Sequence, residues 1–456
     1  MTKDKAVLLL ITISSLTFSC TKFVQVDSPK NQLTVDNVFL TEASTNSAVT
    51  GIYTTMMNGT LGFGAIAVSE MLGLSSDEFI NESSDQFLAE FANSKISVTN
   101  ADLLEHLWSE PYLYIFSANS VLDGVRSSKS LTDSFKIQME AEAKFIRAFC
   151  YFYLTNLYGD VPMYLTTDYQ TNAVSTRASS SIVYAQIIAD LKDAQTGLLN
   201  DYSASGGQRV RPNRSAATAL LARVYLYQQK WDSAEAEATS VINNNSLYNL
   251  TSLDSVFLAN SNEAIWQLLP VIPNINTVEG YTFILTAEPT TVSLDSFVVK
   301  AFEPGDARLT NWVGTFSDGT NTWNFPYKYK VQASATLTEY SMVIRLAEMY
   351  LIRAEARAQQ MEFSGSESDL NMIRNRASLS NTTASDQPSL LLAIEHERQV
   401  ELFTEWGHRW LDLKRTGRAD AVLSAEKPTW ISNAILFPIP SAEIQSNPKI
   451  TQNPGY

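Results

Sequence analysis

The sequence predicts a mainly α-helical chain built on tetratricopeptide-like helix pairs, with a loop-rich face that carries a few short strands. Three observations predict it. Apolar residues recur at helical spacing through most of the 456 residues. Between Ser215 and Asn243, small residues and a tyrosine fall where two antiparallel helices can close on each other. Leu221, Ala222 and Tyr225 share one helix and Ala234, Ala238 and Val241 the next, with a turn at Lys230-Trp231-Asp232. The stretch from Leu250 to Thr338 breaks this rhythm. It is rich in Gly, Pro, Asn and Thr, with short β-prone runs at Ala264–Leu269 and Tyr281–Leu285.

At the front, Lys3 and Lys5 flank the start of an apolar run from Ala6 to Leu16, followed by Thr17-Phe18-Ser19-Cys20. Such a run can engage export machinery but falls short of the ~20 residues that span a bilayer. Residues 1–19 are therefore expected to be a signal peptide and Cys20 the lipidated first residue of the mature chain. Residues 20–40, polar and aperiodic, read as its tether. The rest is expected to form one domain, with a helical-repeat part at 41–245 and a loop-rich and C-terminal part at 246–456.

The elements follow in order. Ala43, Ala48, Ile52 and Met56 predict a helix with Thr41 as its cap. Leu61–Ser84, richer in Gly and Ser, reads as loop. Asp102–Val125 returns to helix, and Glu140–Leu157 is a strong helix ending at Tyr158-Gly159-Asp160-Val161-Pro162. Leu346-Ala347…Tyr350 repeats the first-helix half of the pair pattern, and Ala148…Tyr151 repeats it more weakly. Glu339–Gln360 and Pro388–Arg415 read as helices. The Pro-rich C-terminal stretch reads as extended.

Composition narrows function. The formal charge is −15 and there is no basic run. Nucleic acid and anionic lipid would repel such a chain, so attachment to a membrane falls to the lipid on Cys20. With Cys20 lipidated, Cys150 has no partner for an intramolecular disulfide and reads as a small buried hydrophobe. His106, His396 and His408 lack metal-ligand spacing with each other or a Cys. Glu397, Arg398, Glu401, Glu405, Arg409 and Asp412 fall at spacings that pair acids with bases along a helix. An arginine beside each acid would keep it ionised, which argues against a carboxylate pair for glycoside hydrolysis. There is no Gly-rich phosphate loop, no nucleophile elbow and no Cys cluster. A binding protein fits better than an enzyme. No cofactor is read from the sequence, although loop oxygens could hold a structural Ca²⁺ without a readable motif.

Six segments in order resemble the SusD/RagB family of outer-membrane nutrient-uptake lipoproteins. They are Ala141-Glu142-Ala143-Lys144-Phe145-Ile146-Arg147-Ala148 running to Tyr158-Gly159-Asp160-Val161-Pro162; Arg211-Pro212-Asn213 with Ala216–Tyr225; Arg345–Glu355; Ile373–Ala377; Glu397-Arg398…Glu401-Leu402 with Gly407–Arg415; and Phe437-Pro438-Ile439-Pro440…Gln452-Asn453-Pro454-Gly455-Tyr456. The resemblance covers nearly all of the mature chain. It implies a cell-surface lipoprotein that captures oligosaccharides, or in some members peptides. It also implies delivery to a partner SusC-like TonB-dependent outer-membrane transporter, with helical repeats packed on that transporter and loops facing ligand. The rival reading is an interaction module that grips the transporter without glycan affinity of its own.

The family's ligand contacts vary between members, so candidates come from this chain alone. Trp108, Trp231, Trp406 and Trp410 lie where helix packing or a repeat turn explains them. Phe79, Phe87, Trp312, Trp323 and Tyr327 lack that explanation. Aromatic rings stack on the flat C–H faces of sugars, while Asn, Asp and Arg take the hydroxyls. Asp77 and Asn81 flank Phe79, and Arg308 and Asn311 precede Trp312, so these join the ligand-binding candidates.

Overall fold

The computed structural model describes residues 38–456. The expected signal peptide, Cys20 and the tether as far as residue 37 lie outside the described residues.

Helix follows helix through the first half. Helix α1 (Glu42–Met56) starts at Thr41, whose hydroxyl accepts the Ser44 N–H at 3.1 Å. Helix α2 (Val68–Ser75) is reached through a π-helical turn at Phe63–Ala67. This corrects the reading of Leu61–Ser84 as loop. Its glycines are packing residues rather than breakers: a Cβ on Gly64 would lie 2.7 Å from the Met56 carbonyl, and one on Gly73 would lie 2.4 Å from the Phe79 ring. Then come α3 (Glu110–Ser127), α4 (Asp133–Tyr158), α5 (Ser180–Gly197), α6 (Arg214–Tyr227) and α7 (Trp231–Ile242). After the loop-rich segment follow α8 (Leu346–Gln359), α9 (Phe363–Arg376), α10 (Gln387–Glu401) and α11 (His408–Arg415).

These helices form one array. Helix α3 packs on α4, α4 on α5, α5 on α6 and α6 on α7. Helix α7 then packs on α8, and α8 on α9 and α10. Residues 243–345 therefore leave the array and return to it. The small residues act as the repeat pattern requires: Ala216, Ala217, Ala219 and Ala222 of α6 and Ala234 and Ala238 of α7 are fully buried, so the backbones approach closely. Cys150 is buried in α4, and burial pushes its thiol well above the usual range.

The short strands form four antiparallel pairs: β1 (Phe79–Asn81) with β5 (Val292–Leu294), β2 (Val161–Pro162) with β3 (Arg177–Ala178), β4 (Ala264–Leu268) with β8 (Ser341–Arg345), and β6 (Val313–Ser317) with β7 (Thr322–Pro326). Four sequence expectations change here. Tyr281–Phe283 belongs to a helix, Val278–Phe283, because the Thr277 hydroxyl accepts the Gly280 N–H at 3.0 Å and caps it. Glu339–Gln360 is not all helix: Ser341–Arg345 pairs with β4 and every residue of it is buried, which suits β-branched Val343 and Ile344. Pro388–Arg415 breaks at 402–407, where Thr404, Trp406 and Gly407 take positive φ of 55°, 48° and 67°. That break drives Trp406 into the core, edge-on to Phe63 and Phe149. The C-terminal stretch also folds into short helices at Ala419–Glu426 and Ser441–Ser446.

Several segments that carry the family resemblance turn out to be joints. Arg211 grips Glu142 with two N–H groups, at 2.7 and 2.6 Å, and Asn213 caps α6 by accepting the Ala216 N–H at 2.9 Å. The chain end is sewn to the end of α4: Phe437 N–H donates to the Leu157 carbonyl at 2.9 Å, and the Asn453 amide donates to the carbonyls of Tyr158 and Phe437.

Candidate functional site

The sequence-derived candidates separate into a buried set and an open set. Trp312 ends the short helix Ala307–Trp312 and is fully buried. Its indole N–H donates to the Leu253 carbonyl at 2.9 Å, and Phe257 meets its ring edge-on at 5.7 Å. Lys328, Arg345 and Arg376 lie over that ring within 4.9–5.8 Å, an arrangement in which the ring face attracts buried cations. Arg308 is equally buried and pairs with Asp306, Glu397 and Glu401 at 2.7–2.9 Å. Neither side chain presents a face to ligand, so both are corrected from contact residues to core residues. Asp77 and Phe79 need the same correction. Asp77 is buried in a bidentate pair with Arg409 at 2.6–2.8 Å, and Phe79 packs on Phe283 with ring centres 5.0 Å apart.

The same network settles the acid–base residues of the last helices. Their partners come largely from elsewhere in the chain rather than from the same helix face. Arg345 joins Glu263, Glu401 and Glu405, while Arg376 joins Glu263 and Glu401. Only Arg398–Asp412 and Asp412–Arg415 pair within the segment, both at 2.7 Å. Burial opposes ionisation of Glu401, but Arg376, Arg345 and Arg308 overcome it and hold its carboxyl well below the usual range. Glu397 departs from the sequence reading: burial raises its carboxyl despite Arg308. Both carboxylates are shut away from solvent, so no substrate bond can reach them.

The open set lies on the β6–β7 hairpin. Asp318-Gly319 makes its turn. The Asp318 carboxylate accepts the N–H groups of Thr320 and Asn321 at 2.7 Å each, and Gly319 takes φ of 93°, which glycine adopts without strain. These N–H groups hold the Asp318 carboxyl below its usual range. The register sets Phe316 opposite Trp323, and both are half-buried. Their rings stack with centres 6.2 Å apart and planes 26° apart. Strand period puts Phe325 on the same face, and Tyr327 meets it edge-on at 5.8 Å. Lys330 sits 4.0 Å under the half-buried Tyr327 ring and donates to the carbonyls of Asn311 and Tyr327. The result is a row of aromatics on a short hairpin clamped to the core beneath. Phe316 was missed by sequence reasoning. A two-residue Asp318-Gly319 turn would have set Gly314 opposite Trp323, and only the four-residue loop at 318–321 brings Phe316 there.

The remaining candidates frame this platform loosely. Strand β5 lies against β7 and carries β1, so Asn81 belongs to the adjoining surface, where it closes a turn with Ser83. Asn311 is half-buried and donates to the Ala307 carbonyl at 2.7 Å. Phe87 stands apart on the short helix Gln86–Ala92. One group among the described residues has the make-up of a metal site, Glu303 with His396 and Glu397. Arg374 already engages both carboxylates, at 2.5 and 3.3 Å, and Arg308 engages Glu397 at 2.7 Å, so guanidinium charge stands where a cation would.

Comparison with known proteins agrees with this architecture. A family model described as "Starch-binding associating with outer membrane" matches residues 22–226, and one described as "SusD family" matches residues 314–456. The chain is 24% identical to the SusD-like protein P25 of Formosa agariphila, over 96% of this chain and 97% of that one. A SusD superfamily protein from Bacteroides vulgatus superposes with a TM-score of 0.80 at 22% identity, over 91% of this chain and 99% of that one. A laminarin-binding SusD-like protein superposes with a TM-score of 0.75 at 25% identity, over the same shares.

Proposed function

Because the chain belongs to the SusD/RagB family, we propose that it is a glycan-binding lipoprotein of the outer membrane that captures oligosaccharides and delivers them to a TonB-dependent transporter. The observation that carries this reading is the stacked Phe316–Trp323 pair, a flat apolar surface set in a polar rim. Thr315 and Asn324, hydrogen-bonded to each other at 3.1 Å on the opposite face, mark the polar side of the same hairpin. A neutral sugar ring stacks on such a pair through its C–H groups, and the modest area favours release. The laminarin-binding relative and the starch-binding family description support this ligand class. No catalytic step is part of the proposal.

In this reading the chain is attached through a lipid on Cys20; no helix among the described residues is long and apolar enough to cross a bilayer. The groove between α1 and α3 suits the transporter. It is apolar, is lined by Val38, Phe39 and Leu40 where the described chain begins, and exposes Leu113 and Phe116 by about half. A partner in the same membrane would meet this end first.

The test is calorimetric titration of the purified chain in non-ionic detergent against neutral β- and α-glucan oligosaccharides and a peptide digest. Saturable glucan binding, lost in Trp323→Ala, is expected. Binding of peptides alone would replace the sugar. Binding of neither, with the transporter still co-purifying, would leave the interaction-module reading in its place.

A further inference from the structure

A second cleft lies far along the chain from the hairpin. It has a volume of about 800 Å³ and forms where the end of α4, strand β3, the ends of α6 and α11 and the last residues of the chain converge. Its charge is opposite to that of the protein. Arg177, Lys414, Arg415 and Lys449 line it against one carboxylate, Asp160, in a chain of net charge −15. Arg415 is neutralised by Glu355 and Asp412 at 2.5–2.7 Å. The other three cations have no carboxylate within ion-pair distance among the described residues. Arg177 donates only to neutral oxygens: the carbonyls of Asp160, Thr451 and Tyr158 at 2.7–3.1 Å and the Asn453 side-chain oxygen. Lys414 is shielded in the cleft wall and donates to the Asn156 carbonyl. Lys449 is exposed at the rim. Asp160 is engaged by the Ser180 N–H at 2.9 Å. Two phenols, Tyr184 and Tyr227, complete the titratable lining, and the Tyr227 hydroxyl is buried without a hydrogen-bond partner.

Carbonyls at and just beyond the end of α4 explain why Arg177 and Lys414 are held there, but dipoles do not neutralise them. From this geometry we infer that the cleft is a subsite for an oxyanion, the carboxylate or sulfate group of an acidic sugar. Its size suits one or two sugar rings. This inference rests on the glycan reading above and adds a second, charge-selective contact to it. Burial independently holds the Lys414 ammonium down to about 7, so near pH 8 it is mostly neutral and an arriving anion would draw a proton back onto it.

The experiment titrates the full chain with an oligogalacturonate, a sulfated galactan oligosaccharide and a neutral laminari-oligosaccharide, each in buffers of differing ionisation enthalpy. One or both acidic probes are expected to bind with uptake of up to about one proton at pH 8, with the neutral probe taking up none. Lys449→Glu, at an exposed position, should weaken acidic binding about tenfold and leave neutral binding unchanged. Lys414→Met should abolish the proton uptake. Neutral binding with no acidic binding would overturn the subsite and leave the glycan reading standing. Acidic binding that ignores Lys449→Glu and takes up no proton would also overturn it. Binding of no saccharide would overturn both. If inorganic sulfate at millimolar concentration competes with the acidic probes alone, the subsite is supported, and the relative strength of the two acidic probes names the group.

Discussion

Trp312 and Trp323 stand close together in sequence, both in the loop-rich segment, yet they belong to different regions of the molecule. Trp312 sits under a buried lattice of arginines and glutamates, with its N–H satisfied by Leu253 and cations over its ring. Trp323 sits on a two-stranded hairpin with one face packed on Phe316 and the other side toward solvent. Lack of helical periodicity marks a residue as outside a helix face. It does not say whether the chain then folds inward or outward, because that depends on partners supplied from far away, here from β8 and α10.

The strongest way to break this comparison is through the buried lattice. Arg345→Met leaves Glu263, Glu401 and Glu405 without the guanidinium that joins them, and removing one member of a buried pair costs about 3–5 kcal/mol. Urea unfolding should show a loss of that order, and Trp312→Ala should match it through the cavity left behind. A loss below about 1 kcal/mol in both would mean that this region is no more structural than the hairpin.

The array was legible because its signals are local. Helical period, the Ala-rich pair at 215–243, the Thr41 cap and the Tyr158-Gly159 stop each act within a few residues. The lattice was not legible, because Arg308, Arg345 and Arg376 meet Glu263, Glu397 and Glu401 only after the chain has left the array and returned. On the sequence, Arg308 and Asp77 look like polar neighbours of aromatics. In the fold they are the counter-ions of Glu397 and Arg409. At the hairpin, Trp323 and Tyr327 could be named, but Phe316 needed the cross-strand register.

A pH scan sharpens the contrast next, because buried acids titrate and the hairpin carries none. Burial pushes the Glu78 carboxyl up to about 8, with the Thr404 N–H at 2.8 Å only partly opposing it. Its folded value lies above its unfolded value near 4.5. The stability it adds is therefore complete below that unfolded value and is lost as pH rises through about 8. Glu401 and Glu405 have the opposite sign: their contribution holds above about 4.5 and is lost as pH falls further. In Glu78→Gln, which keeps an acceptor for Thr404, the fall of Tm between about pH 5 and pH 8 should become shallower. Parallel curves for the two proteins would remove Glu78 as the source.

Trp323→Ala and Phe316→Ala should separate binding from folding. Each half-buried ring should cost about 1 kcal/mol of stability, while glucan affinity falls about tenfold or more. Unchanged affinity in both would move the ligand off the hairpin, whatever the fate of Trp312.

The smallest effect tests the seam between the two regions. Asn311 precedes Trp312 in the last turn of the helix Ala307–Trp312, yet its carbonyl accepts from Lys330, which lies under Tyr327. Its side chain spans only its own helix, to the Ala307 carbonyl. Asn311→Ala should therefore cost about 0.5–1.5 kcal/mol, one part-buried hydrogen bond, and leave glucan affinity within twofold because the backbone contact to Lys330 survives. A drop in affinity matching that of Trp323→Ala, without a larger stability loss, would make Asn311 a ligand contact after all. The boundary between core and platform would then run through the side chain of residue 311 rather than beyond it.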